Sequence, residues 1–193
     1  MSSGGSLFPH TELNVEGGLE LRRAELDDAE ELFAAVDINR DYLREWLPWL
    51  DATASVEDEF SAIKSTLEEY DKREGVFYAI RLNGRAIGTM SLNWIDWGNR
   101  GCGVGYWLSE DQTGNGYVTK SCIRLMEHCF DDLGLHRFVL EAATDNFPSR
   151  AIAENLGMRL EGITKDREWL YDHYVDSALY AITAPEWRDR NQD

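Results

Sequence analysis

The chain has 193 residues, 43% of them hydrophobic, and its 36 acidic residues against 19 basic ones give a net charge of −17. That length suits one domain with a substantial core, the charge disfavours binding to bare nucleic acid, which draws on clustered Lys and Arg, and no run of about 18 apolar residues is present to span a membrane. The opening MSSGGSLFPH lacks the basic start and apolar middle of a secretory signal, so a cytoplasmic protein is expected.

The acid excess has two readings. It would draw in a cationic acceptor; alternatively it is a solvating surface suited to a salty cytoplasm, since it is spread along the chain with four Lys against fifteen Arg. Cys102, Cys122 and Cys129 are odd in number and form no CxxC pair. On one helix, Cys122 and Cys129 would be separated by about 10 Å of rise, beyond a disulfide's reach, so reduced and mostly buried thiols are expected.

Residues 19–24 alternate apolar and polar, as a half-buried strand does. Asp27 and Asp28 open an apolar-periodic helix over 29–36. A second short helix is expected over 41–50, stopped or kinked by Pro48. Ser55 with Asp58 starts a helix over 56–72. Residues 74–95 read as a hairpin turned by Asn83-Gly84. Then come a strand at 101–108, a helix at 117–133, a strand at 137–143, a helix at 148–156 and closing strands at 159–164 and 168–182. The spacing therefore implies a mixed α/β domain over 19–184, with an N-terminal tail over 1–18, disordered at 1–6, and a C-terminal tail over 185–193.

One stretch stands out: GVGYWLSEDQTGNGYVTKS, residues 103–121, where a strand runs into a glycine-spaced turn and then a helix. The first amides of a helix lack intrahelical acceptors and carry partial positive charge. Gly114 and Gly116 would let the main chain approach an anion there. A generic tight turn uses the same glycines.

The order of elements resembles the GNAT acyltransferase fold. The strings DYLREWLPWLD, GYWLSED, DNFPSRAIAENLGM, RLEG and REWLYDHYVDSALYAI together resemble its RimL-type branch, over nearly all of the chain from Leu19 onward. The resemblance implies a mixed, mostly antiparallel sheet of about seven strands with helices on both faces. It implies acetyl-CoA as cosubstrate and acetylation of a protein N-terminal amine, notably on ribosomal proteins. No metal is expected, and pairing of two copies is an expectation because relatives in the branch often pair.

By that resemblance, Gly114, Asn115, Gly116, Tyr117 and Val118 would offer amides to the pyrophosphate, and the Thr119 hydroxyl a further bond. Tyr106, Trp107 and Leu108 would border the pantetheine arm, although Trp107 also suits plain core packing. The chain departs from the family turn, which begins with Gln or Arg: Thr113 stands there, with Gln112 one place early and Val118 last. Main-chain amides are left to carry more of the phosphate.

The chemistry needs a base to take a proton from the amine, donors for the oxyanion and a proton for the departing thiolate. The resemblance assigns the thiolate to the Asn-x-x-Ser pair, here Asn146 and Ser149. A helix cap is an alternative reading of that pair, compatible with catalysis. It carries the base to Glu168, with Glu161 as runner-up. Of the histidines, His10 reads as tail, His128 as a helix face and His136 as a strand entry; His173 alone is placed near the acceptor. Tyr42, Trp46, Trp49 and Trp94 are expected to form an aromatic wall for the acceptor, or else to pack the helical layer on the sheet. An open groove would admit a flexible protein N terminus and a closed one a small amine. Two other functions stay in view: acetylation of a small amine such as an antibiotic, polyamine or amino acid analogue, and a CoA-sensing module without turnover.

Overall fold

A computed structural model describes residues 8–190; the disorder expected for residues 1–6 lies outside them. In chain order the elements are β1 (Glu12–Asn14), β2 (Leu19–Arg23), α1 (Ala29–Ile38), α2 (Arg40–Arg44), α3 (Val56–Asp71), β3 (Val76–Leu82), β4 (Arg85–Asp96), β5 (Gly101–Leu108), α4 (Tyr117–Glu127), β6 (Arg137–Ala143), α5 (Phe147–Asn155), β7 (Arg159–Leu170), β8 (His173–Thr183) and α6 (Ala184–Arg190). The strands form one sheet ordered β1-β2-β3-β4-β5-β6-β8-β7. Every neighbouring pair is antiparallel except β5 and β6.

Side chains alternate across the sheet, so β3 feeds two cores. Tyr78 and Ile80 pack with Cys122, Leu125 and Phe130 of the α4 layer. Ala79 and Phe77 pack with Leu32 of α1 and Ile63 of α3. Helices thus cover both faces. Ser55 caps α3 by accepting the Asp58 N–H at 3.2 Å, and Asn83 and Gly84 turn the β3–β4 hairpin at φ 52 and 83. Cys102, Cys122 and Cys129 are free and buried.

Four departures from the expected elements have physical causes. Residues 12–14 add an eighth strand within the expected tail; three residues are too few for alternation to show. Tertiary bonds hold this segment, including Tyr78 OH to His10 O at 2.7 Å and Arg23 N–H to Thr11 O at 2.7 Å. At the other end, α6 buries Trp187 in the main core. The helix expected over 41–50 is shorter, because the residue before Pro48 is steered out of the helical region; α2 ends at Arg44 and a 3-10 turn follows at Leu50–Ala52. Finally, the last hairpin turns at Tyr171 and Asp172. Residues 159–170 therefore form one strand, with irregular register between Thr164 and Glu168.

Candidate active site

Parallel pairing of β5 and β6 begins with Gly101 opposite Arg137 and ends with Val104 opposite Leu140. Beyond that, β5 stays with β4 up to Leu108 and β6 stays with β8 up to Ala143. The two central strands part, leaving the edge of residues 105–108 open toward the gap. A cleft of about 1420 Å³ occupies this position and is walled by both halves of the sheet. On β5, Gly103 lies under the Trp94 indole, where a methyl group would collide.

After β5 the chain turns through Gly114 (φ 76) and Gly116 (φ 74), both left-handed, with nothing within 4 Å of where a Cβ would project. Glycine serves both needs there. Lys120 N–H makes the first α4 bond, to Gly116 O at 3.0 Å. The amides of Tyr117, Val118 and Thr119 therefore have no acceptor within the helix, and all three residues line the cleft with Gly114 and Gly116. Asn115 is not on the cleft wall; its side-chain Nδ2 braces the turn, donating to Gln112 O at 3.0 Å and Thr113 O at 3.2 Å. The Thr113 hydroxyl is likewise held by Glu110 O at 2.7 Å. Main-chain N–H groups free of helical acceptors at the end of the cleft are a chemistry that suits an anion such as a pyrophosphate.

Tyr106, Trp107 and Leu108 line the same cleft. Trp107 is buried with Val36, Leu43 and Leu50, so it packs a core as well. The Tyr106 side chain faces the opposite layer, where its hydroxyl shares a 2.8 Å hydrogen bond with Ser149 Oγ. Burial holds the Tyr106 phenol protonated, far above its ordinary value. Asn146 caps α5 by accepting the Ser149 N–H at 3.1 Å. One motif thus supplies the cap, while the Ser149 hydroxyl is left at the positive helix end facing the gap.

Glu168 lies opposite Val175 on β8, on the face it shares with Ser177, and both Glu168 and Ser177 line the cleft. Its side chain reaches solvent in the open cleft, yet partial desolvation, outweighing Arg167, raises its carboxyl above the ordinary range, with Glu141 adding to the rise. Glu161 is different in kind. It is outside the cleft, ion-paired with Arg137 and Arg159, and those guanidiniums hold its carboxyl down to about 2. His173 is also off the cleft wall, exposed and 2.7 Å from Asp172 through Nδ1.

Tyr42, Trp46, Trp49 and Trp94 all line the cleft. Trp49 and Trp94 are 37% and 42% exposed, so much of their ring area is open. Across the rim, the Tyr171 hydroxyl donates to Leu47 O, and the Arg44 guanidinium sits 3.7 Å from the Tyr171 ring centre. The last hairpin is thereby fastened to the segment after α2. Among residues not singled out from sequence, Glu59 is the most unusual: it lines the cleft from α3 while only 5% exposed. The signal for it was its place four residues before Ile63 on the inward stripe of α3, where an apolar residue is the rule.

His10, His128 and Asp132 come close enough to hold a metal ion. Both ring nitrogens of His128 are engaged, however: Nε2 accepts the His10 N–H at 3.0 Å, and Nδ1 lies 2.7 Å from Asp132. The trio acts as a clamp on the N-terminal segment.

The acetyltransferase (GNAT) domain family matches residues 18–159. The ribosomal-protein-serine acetyltransferase of Escherichia coli (strain K12) is 29% identical over 88% of this chain and 94% of its own length. RimL, a ribosomal L7/L12 alpha-N-protein acetyltransferase solved with coenzyme A, superposes with a TM-score of 0.86 at 29% identity, covering 89% of this chain and 97% of its own. The microcin C7 self-immunity acetyltransferase MccE, solved with acetyl-CoA and AMP, gives 0.86 at 27% identity, covering 92% and 98%. With the parted central strands and the glycine turn into α4, these matches establish that the chain belongs to the GNAT acetyltransferase family and is an acetyl-CoA-dependent N-acetyltransferase.

Proposed function

We propose that the protein acetylates the N-terminal α-amine of a protein, a ribosomal protein being the first candidate, by direct attack of the amine within a ternary complex. The observation that carries this reading is that Glu168, Ser149 and the glycine turn line one cleft. Acetyl-CoA, when bound, supplies the activated acetyl group and a thiol leaving group. The amides at residues 116–119 would hold its phosphates, with Gly114 leaving room and the Thr119 hydroxyl alongside. Tyr106, Trp107 and Leu108 would border its arm.

Glu168 would take the proton that the amine must lose. A carboxyl raised above the ordinary range is a better match to that task than an ion-paired one. Ser149 would hold a proton at Oγ for the departing sulfur, positioned by the Tyr106 hydroxyl and the Asn146 cap. Tyr42, Trp46, Trp49 and Trp94 would receive the acceptor. The ribosomal acceptor is supported by the likeness to two acetyltransferases that act on ribosomal proteins.

A small-amine acceptor is the second reading, favoured by the Tyr171–Leu47 fastening across the rim and by the likeness to MccE. Mass spectrometry of ribosomal proteins before and after incubation with the enzyme and acetyl-CoA separates the two. A gain of one acetyl on an N terminus is expected; gain only on a small amine overturns the protein acceptor.

A further inference from the structure

Seven carboxylates line the cleft, among them Glu45, Glu69, Glu110 and Glu141, against one cation among the described residues, Arg167. That cation is already tied to Glu141 at 2.9 Å. Acidic surfaces are common, and six of these groups reach water freely or lie at the rim. Glu59 does not fit that description. It is 5% exposed, and no hydrogen bond or ion pair reaches its carboxyl among the described residues.

Nothing local explains a carboxylate there. The start of α3 is already capped by Ser55, and Asp58 in turn accepts the Ala54 N–H at 3.0 Å, so Glu59 is not needed for the helix end. Its helix neighbours Ala62 and Thr66 line the same wall, and Ile63 is fully buried behind them. Burial without a partner pushes the carboxyl up to about 7. A nearly buried acid with no partner in the protein costs stability, and costly arrangements of this kind cluster at ligand-binding sites.

We propose that Glu59 is an acceptor-specificity residue whose carboxylate pairs with a cationic group that the acceptor carries in addition to the amine being acetylated. The inference rests on the proposed reaction and deepens it. Glu168 and Glu59 approach the cleft from opposite halves: Glu168 from β7, beyond the parting of the strands, and Glu59 from α3, packed over β3. One carboxyl serves the reacting amine, and the other takes a second ammonium or guanidinium. The acceptor class is then a peptide whose Lys or Arg lies within a residue or two of its N terminus, or a diamine.

Two matched pairs of acceptors test this with the full chain: peptides beginning Ser-Lys or Ser-norleucine and otherwise identical, and 1,4-diaminobutane against butylamine. Wild type is expected to favour the cationic member about tenfold in kcat/KM, the scale of one charge-assisted hydrogen bond. In Glu59→Gln and Glu59→Met the ratio falls to about one, the loss appearing in KM for the cationic acceptor, with melting temperatures at or above wild type. A ratio near one in wild type, or a preference surviving in both variants, overturns the proposal. So does a marked fall in melting temperature in both variants, which would assign Glu59 to the fold. Turnover of the amines alone, with no peptide acetylated, removes the N-terminal reading, while the diamine ratio still decides the role of Glu59.

Discussion

Tyr106 and Ser149 share a 2.8 Å hydrogen bond that ties the C-terminal end of β5 to the first turn of α5. It bridges β5 and α5 beyond Val104 and Leu140, where the pairing of β5 with β6 has ended. The Ser149 rotamer is consequently set by a residue 43 positions away in sequence.

Replacing Ser149 with Ala is expected to lower kcat by about a hundredfold, within the range of positioned proton transfer, with KM for acetyl-CoA little changed. Tyr106→Phe leaves the serine but frees its rotamer, and a smaller loss, about tenfold, is expected. Thiol-release kinetics on both variants and the double variant check this. Losses that multiply independently would show that the tyrosine does not act through Ser149.

Glu168 is raised by desolvation first, so its conjugate base forms only above the ordinary value of about 4.3 for Glu. The acid limb of the kcat/KM profile is expected to lie above that value. Glu168→Gln should remove the limb and cost about a hundredfold or more in kcat. A profile unchanged in shape in the variant would place the base elsewhere.

At the turn, Gly116→Val strains a left-handed position by about 1–2 kcal/mol and adds a branched side chain where nothing lies within 4 Å, at the residue that starts α4. KM for acetyl-CoA should rise about tenfold or more. Thr113→Arg adds a cation beside the same amides, and coenzyme A should bind several-fold more tightly, with the gain fading at high salt. Calorimetric titration at two ionic strengths reads both.

His128 gives stability a pH dependence with a definite sign. Burial lowers its folded pKa, against a lesser raising by Asp132, while the unfolded chain keeps about 6.5. The unfolded state therefore binds the proton first, and the His128 contribution, full above about 6.5, is lost as pH falls toward the folded value. Glu59 works in the opposite sense: raised to about 7, it favours the folded state as pH falls from there toward its ordinary range. The two should partly cancel in the wild-type melting curve. Between pH 7 and 5, His128→Gln should flatten the acid loss and Glu59→Gln the acid gain, measured as melting temperature against pH.

Most of the fold was legible because its signals are local. The Asn83-Gly84 turn, the Ser55–Asp58 cap and the alternation through β2 each lie within a few residues. β1 escaped because three residues carry no period, and Trp187 because its partner, Phe130, is far away in sequence. The last hairpin departs from the strands expected at 159–164 and 168–182, since the irregular register between Thr164 and Glu168 interrupts β7 and its end at Leu170 is followed within three residues by β8.

The candidate site divides the same way. Gly114 and Gly116 could be nominated from the turn itself, a short-range device, and Asn146, Ser149 and Glu168 through the family resemblance. What the residues do to one another could not. The parting of β5 from β6, the Tyr106–Ser149 bond and the burial of Glu59 depend on which strands become neighbours, and each joins segments tens of residues apart. Sequence alone determined most of the elements and the glycine turn, through backbone preferences and periodicity. Tertiary structure decided that Glu161 would be neutralised by Arg137 and Arg159 while Glu168 and Glu59 stood in the cleft, because a carboxylate's proton affinity is set by the charges and water around it in space.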